Sequence, residues 1–220
     1  MVGNGCKVFC IGFAKTGTTS LKTVLEEVGY RTQDVAESAS LIEDWARRDY
    51  RSLIELCKRS DAFQDVPFNL PFTYQALDAA FPGSKFVLTF REDSEKWYRS
   101  WSTFIAALLG TDFPPEETLV KTFPVVYDGW LWRLLEVTAG TEGSPFDREK
   151  VIRYYEAHNA SIREYFRFRP ESFLAIELGD PMALDRLCEF LEVEQRPVGM
   201  PNITSKMIVH GVRTVWKLDP

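Results

Sequence analysis

Residues 8–29 constrain this chain more tightly than any other stretch. Val8-Phe9-Cys10-Ile11 is an apolar run ended by Gly12, and a second glycine, Gly17, follows five residues on. From Thr18 the apolar residues Leu21, Val24, Leu25 and Val28 recur at helical spacing, with Gly29 as a C-terminal stop. A run apolar at every position suits a strand buried on both faces. Strand, glycine turn and helix in that order open an α/β nucleotide-binding fold. In such a unit the backbone N–H groups at the helix start face the end of the strand and attract anions.

The rest of the chain continues the alternation. Two amphipathic helical patterns span 36–59, through Leu41, Ile42 and Trp45 and then Leu53, Ile54 and Leu56. Ala62-Phe63-Gln64-Asp65 reads as the next strand, halted by Pro67, and 70–81 reads as a helix. Pro82-Gly83 turns the chain into Lys85-Phe86-Val87-Leu88-Thr89-Phe90, the clearest β run, with Arg91 at its C-terminal end and a helix starting near Ser94. The aromatic-rich segment 101–146, broken by Pro114-Pro115, Gly140 and Gly143, reads as a helical insertion or lid. A long helix is predicted over 147–168 with Asp147 as N-cap, a strand over Phe173–Ile176, and a helix from Asp180-Pro181 to about Leu191. The pattern predicts one domain over 1–220 with a mostly parallel, doubly wound sheet. Ligands of such sheets gather at the C-terminal strand ends, where the loop 12–19, Asp65 and Arg91 all fall.

With 220 residues, a net charge of −6 and a pI near 5.1, the composition argues against nucleic acid, an acidic membrane surface or a sulfated polysaccharide as partner. Cys6, Cys10, Cys57 and Cys188 show no metal spacing and read as reduced, packed thiols. The N-terminal residues have no basic start and long apolar run, and no stretch approaches a membrane span, so a cytoplasmic location is expected. Oligomeric state does not follow from the residues.

The loop Gly12-Phe13-Ala14-Lys15-Thr16-Gly17-Thr18-Thr19 has P-loop glycine spacing, but its lysine lies inside the loop at Lys15 and Thr18 follows the second glycine. A lysine in the usual place reaches the outer phosphates of a triphosphate; one set back suits a shorter 5′ group. Hydroxyls of Thr16, Thr18, Thr19 and Ser20 stand ready to add hydrogen bonds. By themselves these residues are also compatible with a ligand-free turn.

Lys15-Thr16-Gly17-Thr18-Thr19 resembles the 5′-phosphosulfate loop of sulfotransferases that use 3′-phosphoadenosine 5′-phosphosulfate (PAPS), and the run Gly12–Leu21 is similar to small soluble microbial and parasite members. Lys85–Arg91, followed by Trp97-Tyr98-Arg99-Ser100-Trp101, resembles the family's 3′-phosphate segment. Glu177-Leu178-Gly179-Asp180 with Leu187–Leu191 resembles its late strand and helix. The resemblance implies a three-layer, P-loop-like α/β fold and PAPS as donor, with 3′-phosphoadenosine 5′-phosphate (PAP) as product. It implies a nucleotide site of Ala14, Lys15, Thr16, Gly17, Thr18, Thr19, Ser20, Arg91 and Ser100. The tail departs from the family's P-x-x-N, since Asn202 follows Pro201 directly, and Lys206 or Arg213 is the candidate tail contact to the 3′-phosphate.

Sulfuryl transfer needs leaving-group stabilisation and a base. Lys15 is the candidate for the first. Because that lysine and the loop amides hold the leaving group, no metal is expected. Asp65 of Asp65-Val66-Pro67 stands where the family carries His or an acid, and is the candidate base; the other reading is an Asp that caps its turn. Arg91 likewise reads as a phosphate fork or as an ion-pair partner of Glu92 or Asp93. The acceptor expected is a small, hydrophobic hydroxyl compound, with Phe13, Phe68, Phe72, Trp97, Trp101, Phe104, Phe113, Phe123, Trp130 and Trp132 as candidate walls, most of them expected in the core. His158 reads as structural. Two rival readings remain on the residues: a kinase or nucleotidase using ATP, and a non-catalytic nucleotide-binding member.

Overall fold

The computed structural model describes residues 6–139, 143–177, 179–193, 197–199, 201, 203, 207, 209, 210, 212 and 213. In chain order the elements are β1 (Val8–Cys10), α1 (Thr18–Glu27), α2 (Val35–Ala39), α3 (Ile42–Ala46), α4 (Arg51–Cys57), β2 (Ala62–Phe63) and α5 (Thr73–Ala80). They continue with β3 (Lys85–Thr89), α6 (Ser94–Leu109), α7 (Glu117–Thr122), α8 (Trp130–Ala139), α9 (Arg148–Tyr165), β4 (Phe173–Ile176) and α10 (Ala183–Leu191). The strands form one sheet in the order β2-β1-β3-β4, and every pairing is parallel. The chain folds into two compact units, the described residues of Met1–Glu92 with His158–Asn202, and those of Asp93–Ala157 with Ile203–Pro220.

The first unit holds the sheet, and strand alternation divides its core in two. Phe9, Ile11, Phe63, Phe86 and Leu88 point to one face, where α4 (Leu53, Leu56, Cys57), α5 (Tyr74, Leu77) and the end of α9 (Ile162, Phe166) cover them. Val8, Cys10, Ala62, Val87 and Ile176 point to the other, under α1 (Leu21, Val24, Leu25) and α10 (Leu187, Leu191). Helices on both faces of a parallel sheet make the three layers the sequence predicts. The Phe9 ring sits 5.0 Å from Phe63 and 5.3 Å from Phe86, so the strand that carries the glycine loop is pinned by aromatic packing.

In the second unit, Asp93 caps α6 by accepting from Lys96 N at 2.9 Å, and Trp97 stacks on Tyr155 with centroids 4.0 Å apart. Tyr98, Trp101, Phe113 and Phe146 meet edge to face around α6. The segment 101–146 contains the last turns of α6 and all of α7 and α8.

Three local expectations change. The two patterns of 36–59 become three helices, because α2 ends at Ala39 before α3 begins at Ile42; Arg48, with a left-handed φ of 60° and its guanidinium 4.5 Å over Trp45, marks the break already expected between the two patterns. The strand expected over 62–65 pairs only at Ala62–Phe63. The Gln33 side chain takes both backbone groups of Gln64, its Nε2 donating to Gln64 O at 2.6 Å and its Oε1 accepting from Gln64 N at 3.2 Å. Helix α10 starts at Ala183 rather than at Asp180, whose Oδ1 instead closes a turn with Met182 N at 2.9 Å. Asp147 does cap α9, accepting from Lys150 N at 2.8 Å.

Candidate functional site

The glycine loop hangs between two neighbouring parallel strands. Ile11 N donates to Val87 O at 2.9 Å, the last rung between β1 and β3. At Gly12 a Cβ would stand 2.2 Å from Thr89 O and 2.4 Å from Thr89 Oγ1, so only glycine fits where the loop leaves the sheet. Thr16 pegs the loop from inside: its hydroxyl donates to Phe13 O at 2.6 Å and lies 2.7 Å from Thr89 Oγ1. A hydroxyl has one proton, so Thr89 is the donor in the second bond. Lys15 has φ 71° and Gly17 φ 100°, which turns the chain tightly into α1. The start of α1 has no capping side chain and no acidic residue in its first turn. Its N–H groups and positive dipole end therefore suit an anion.

Lys15 and Arg91 meet at this turn. Arg91 Nε donates to Lys15 O at 2.8 Å, joining the second residue after β3 to the loop after β1. Lys15 is buried, and this burial, with the Arg91 charge beside it, lowers its ammonium to about 8. Two cations held together in a buried turn of a net acidic chain form a site that a polyanion relieves. The bond also gives Arg91 a defined partner in the loop.

Asp65 enters the same sheet edge from the other neighbour of β1, two residues beyond the pairing of Phe63 with Phe9. Its φ of 66° is left-handed, a conformation that costs a non-glycine residue energy and gathers at functional turns. Its Oδ1 accepts from Val66 N at 2.9 Å, so the turn-capping expectation holds for one carboxylate oxygen. Burial raises the Asp65 carboxyl above its ordinary range, which increases its appetite for a proton.

Sequence comparison bears on this arrangement. The family model for the sulfotransferase domain matches residues 7–206. The chain belongs to the sulfotransferase-domain family. It is also 24% identical, over 96% of its own length and 86% of the relative's, to the Ava biosynthesis cluster protein M of Aspergillus versicolor. Sulfuryl transfer is the chemistry of the family as a whole.

The sulfotransferase domain places its remaining candidates unevenly. Thr18 and Ser20 are buried in the first turn of α1, with Thr19 half-buried between them. Ala14 is half-buried in the loop. Ser100 stands half-buried in the second turn of α6, in the second unit. Arg213 Nη2 donates to Leu108 O at 3.0 Å, at the C-terminal end of that helix. Lys206 lies outside the described residues. Of the aromatic candidates, Phe68, Trp97 and Trp130 are buried, Phe13 stacks on His158, and Phe72 is exposed beside Arg48. Among the described residues no group of His, Cys, Asp or Glu is placed to hold a metal, and no helix is long and apolar enough to cross a membrane.

One residue of the sulfotransferase domain takes the structural place that the sequence expected for it. His158 is buried on α9, its Nε2 lies 3.2 Å from Ile11 O, and its ring stacks on Phe13 at 4.2 Å. The available signal was spacing: His158, Ile162 and Phe166 recur every four residues, which puts the histidine on the helix face that meets the sheet.

Proposed function

We propose that the chain transfers a sulfuryl group from PAPS to the hydroxyl of a small, hydrophobic acceptor by in-line displacement. The donor, when bound, brings the activated sulfuryl group on its 5′-phosphate. The loop amides and the α1 N-terminus hold that phosphate, and Lys15 takes the charge that builds on the bridging oxygen as its bond to sulfur breaks. Asp65 accepts the proton of the acceptor hydroxyl as the new oxygen–sulfur bond forms. Arg91 pairs with the 3′-phosphate through its planar guanidinium. Ser100 and Lys206 are its proposed companions there. The reaction runs without a metal, because the loop already neutralises the leaving group.

The observation that carries the proposal is the 2.8 Å bond from Arg91 to the Lys15 carbonyl. It sets a guanidinium beside a phosphate loop, as a nucleotide with a phosphate at each end of its ribose requires. The test is a calorimetric comparison of PAP with adenosine 5′-monophosphate, which lacks the 3′-phosphate. Wild type should prefer PAP by about tenfold or more, and Arg91→Ala should erase the preference. Equal binding of the two nucleotides by wild type would remove the 3′-phosphate from the assignment. ATP binding that needs Mg²⁺ would favour a kinase instead. Transfer to an acceptor library, read by the mass gain of one sulfonate and repeated in EDTA, completes the assay.

A further inference from the structure

We infer that His158 is a positioning residue for the phosphate loop, an imidazole strut that holds the two residues flanking Gly12 so that the loop amides are aligned before the donor arrives. The inference rests on the proposed PAPS site and asks what keeps that site in shape.

Gly12 leaves the sheet against Thr89, which fills one side of the loop's root. His158 occupies α9, the helix whose later residues Ile162 and Phe166 cover the β1 face carrying Phe9 and Ile11. Its two contacts bracket Gly12 in sequence: the Nε2 bond at 3.2 Å is to the carbonyl of Ile11, and the ring stacks on Phe13 with a 27° tilt. A carbonyl only accepts, so Nε2 carries the hydrogen, and Nδ1 is left as a bare acceptor. Nδ1 is buried without a hydrogen-bond partner among the described residues, an arrangement that only a neutral ring tolerates. Burial lowers the imidazolium to about 4, which keeps the ring neutral and its tautomer fixed.

The consequence concerns binding more than chemistry. Glycine at position 12 brings backbone freedom to the root of the loop, and the strut takes it away again by holding the residues on either side of it. Removing the donor leaves the amides to be ordered by the ligand, so the loss should fall on affinity. Glutamine at 158 sets an amide N–H where Nε2 stood, whereas phenylalanine keeps the ring and the stack on Phe13 but donates nothing. Asparagine is too short to reach.

The experiment compares wild type with His158→Phe, His158→Gln and His158→Asn. PAP affinity is measured by calorimetry, transfer kinetics at varied PAPS by sulfonate mass gain, thermal unfolding by fluorescence, and backbone exchange of loop amides 13–19 without ligand by hydrogen-exchange mass spectrometry. The expected result is about a tenfold weaker PAP affinity and a matching rise in KM for PAPS in the Phe variant. Its kcat at saturating PAPS should stay within about twofold of wild type, its loop amides should exchange faster, and Gln should restore all three readings. Should the Phe variant not fold, the Gln and Asn variants decide, with Gln near wild type and Asn weakened. Unchanged PAP affinity and loop exchange in the Phe variant, or equal values for Gln and Asn, overturn the strut. A fall in Tm and affinity shared by every variant, Gln included, overturns it as well, since packing alone would explain that. If wild type itself does not bind PAP while Phe speeds loop exchange and Gln restores it, the donor assignment falls and the strut stands.

Discussion

Lys15 carries two penalties at once, burial and the neighbouring Arg91 charge, and the opposite charge of a bound anion offsets both. With its ammonium lowered to about 8, the free protein loses this proton as pH rises through that value, and the loop then loses a cation. Binding at pH 9 must put the proton back. The heat of PAP binding at several buffer ionisation enthalpies should therefore report proton uptake by Lys15 at pH 9 and none at pH 6.5. Apparent affinity should fall as pH rises above about 8. Lys15→Ala should lower kcat by about 10²–10³-fold, the scale of one lost oxyanion contact, with a Tm no lower than wild type because a buried charge is gone. His158 has the opposite relation to acid. Its folded value near 4 lies below the ordinary value of about 6.5, so on acidification the unfolded chain takes up a proton that the folded chain refuses. Stability should fall by about 3 kcal/mol between pH 6.5 and 4 from this group alone. His158→Gln should flatten that part of the curve in urea denaturation at pH 7 and pH 4.5.

At the scale of elements, the site depends on how β1 and β3 end. Thr89 closes β3 and supports the loop twice, through the space Gly12 leaves open and through the bond to Thr16. Gly12→Ala drives a methyl group into backbone atoms and should yield insoluble or strongly destabilised protein, checked by expression and thermal unfolding. Thr89→Val keeps the shape and removes the bond, and should cost about 1–2 kcal/mol in urea denaturation. Most of this frame was legible in the sequence. The apolar run of β1, its glycine stop and the helical spacing after Thr18 carried the strand, turn and helix, and the parallel sheet followed from the alternation. Less was legible wherever a side chain from a distant segment acts on the backbone. No local pattern says that Gln33 takes the backbone groups of Gln64 and shortens β2, or that α2 ends at Ala39 before α3 begins. The candidate site divides the same way. The loop and Arg91 showed as motifs, but their junction through Lys15 O and the contact of His158 with Ile11 O join residues far apart in sequence.

Over the whole molecule three of the four cysteines are buried. Cys57 packs on the α4 side of the sheet, Cys10 on the α1 side, and Cys188 is buried on α10. Burial pushes the Cys10 and Cys57 thiols up to about 12, which leaves almost no thiolate at neutral pH. A thiol reagent should label Cys6 slowly in the native protein and reach the others only on global unfolding, as time-resolved labelling with and without urea will show. The parallel sheet has a further consequence, in time rather than space. β1 leaves the ribosome before its partners, which are Ala62–Phe63 on one side and Lys85–Val87 on the other, and no hairpin can stand in for them. At roughly 5–20 residues per second, the strand and the loop it carries wait several seconds in the nascent chain before either neighbour exists. The loop that follows β1 is thus made well ahead of both strands that flank β1 and can only take shape late, so its assembly is paced by translation downstream.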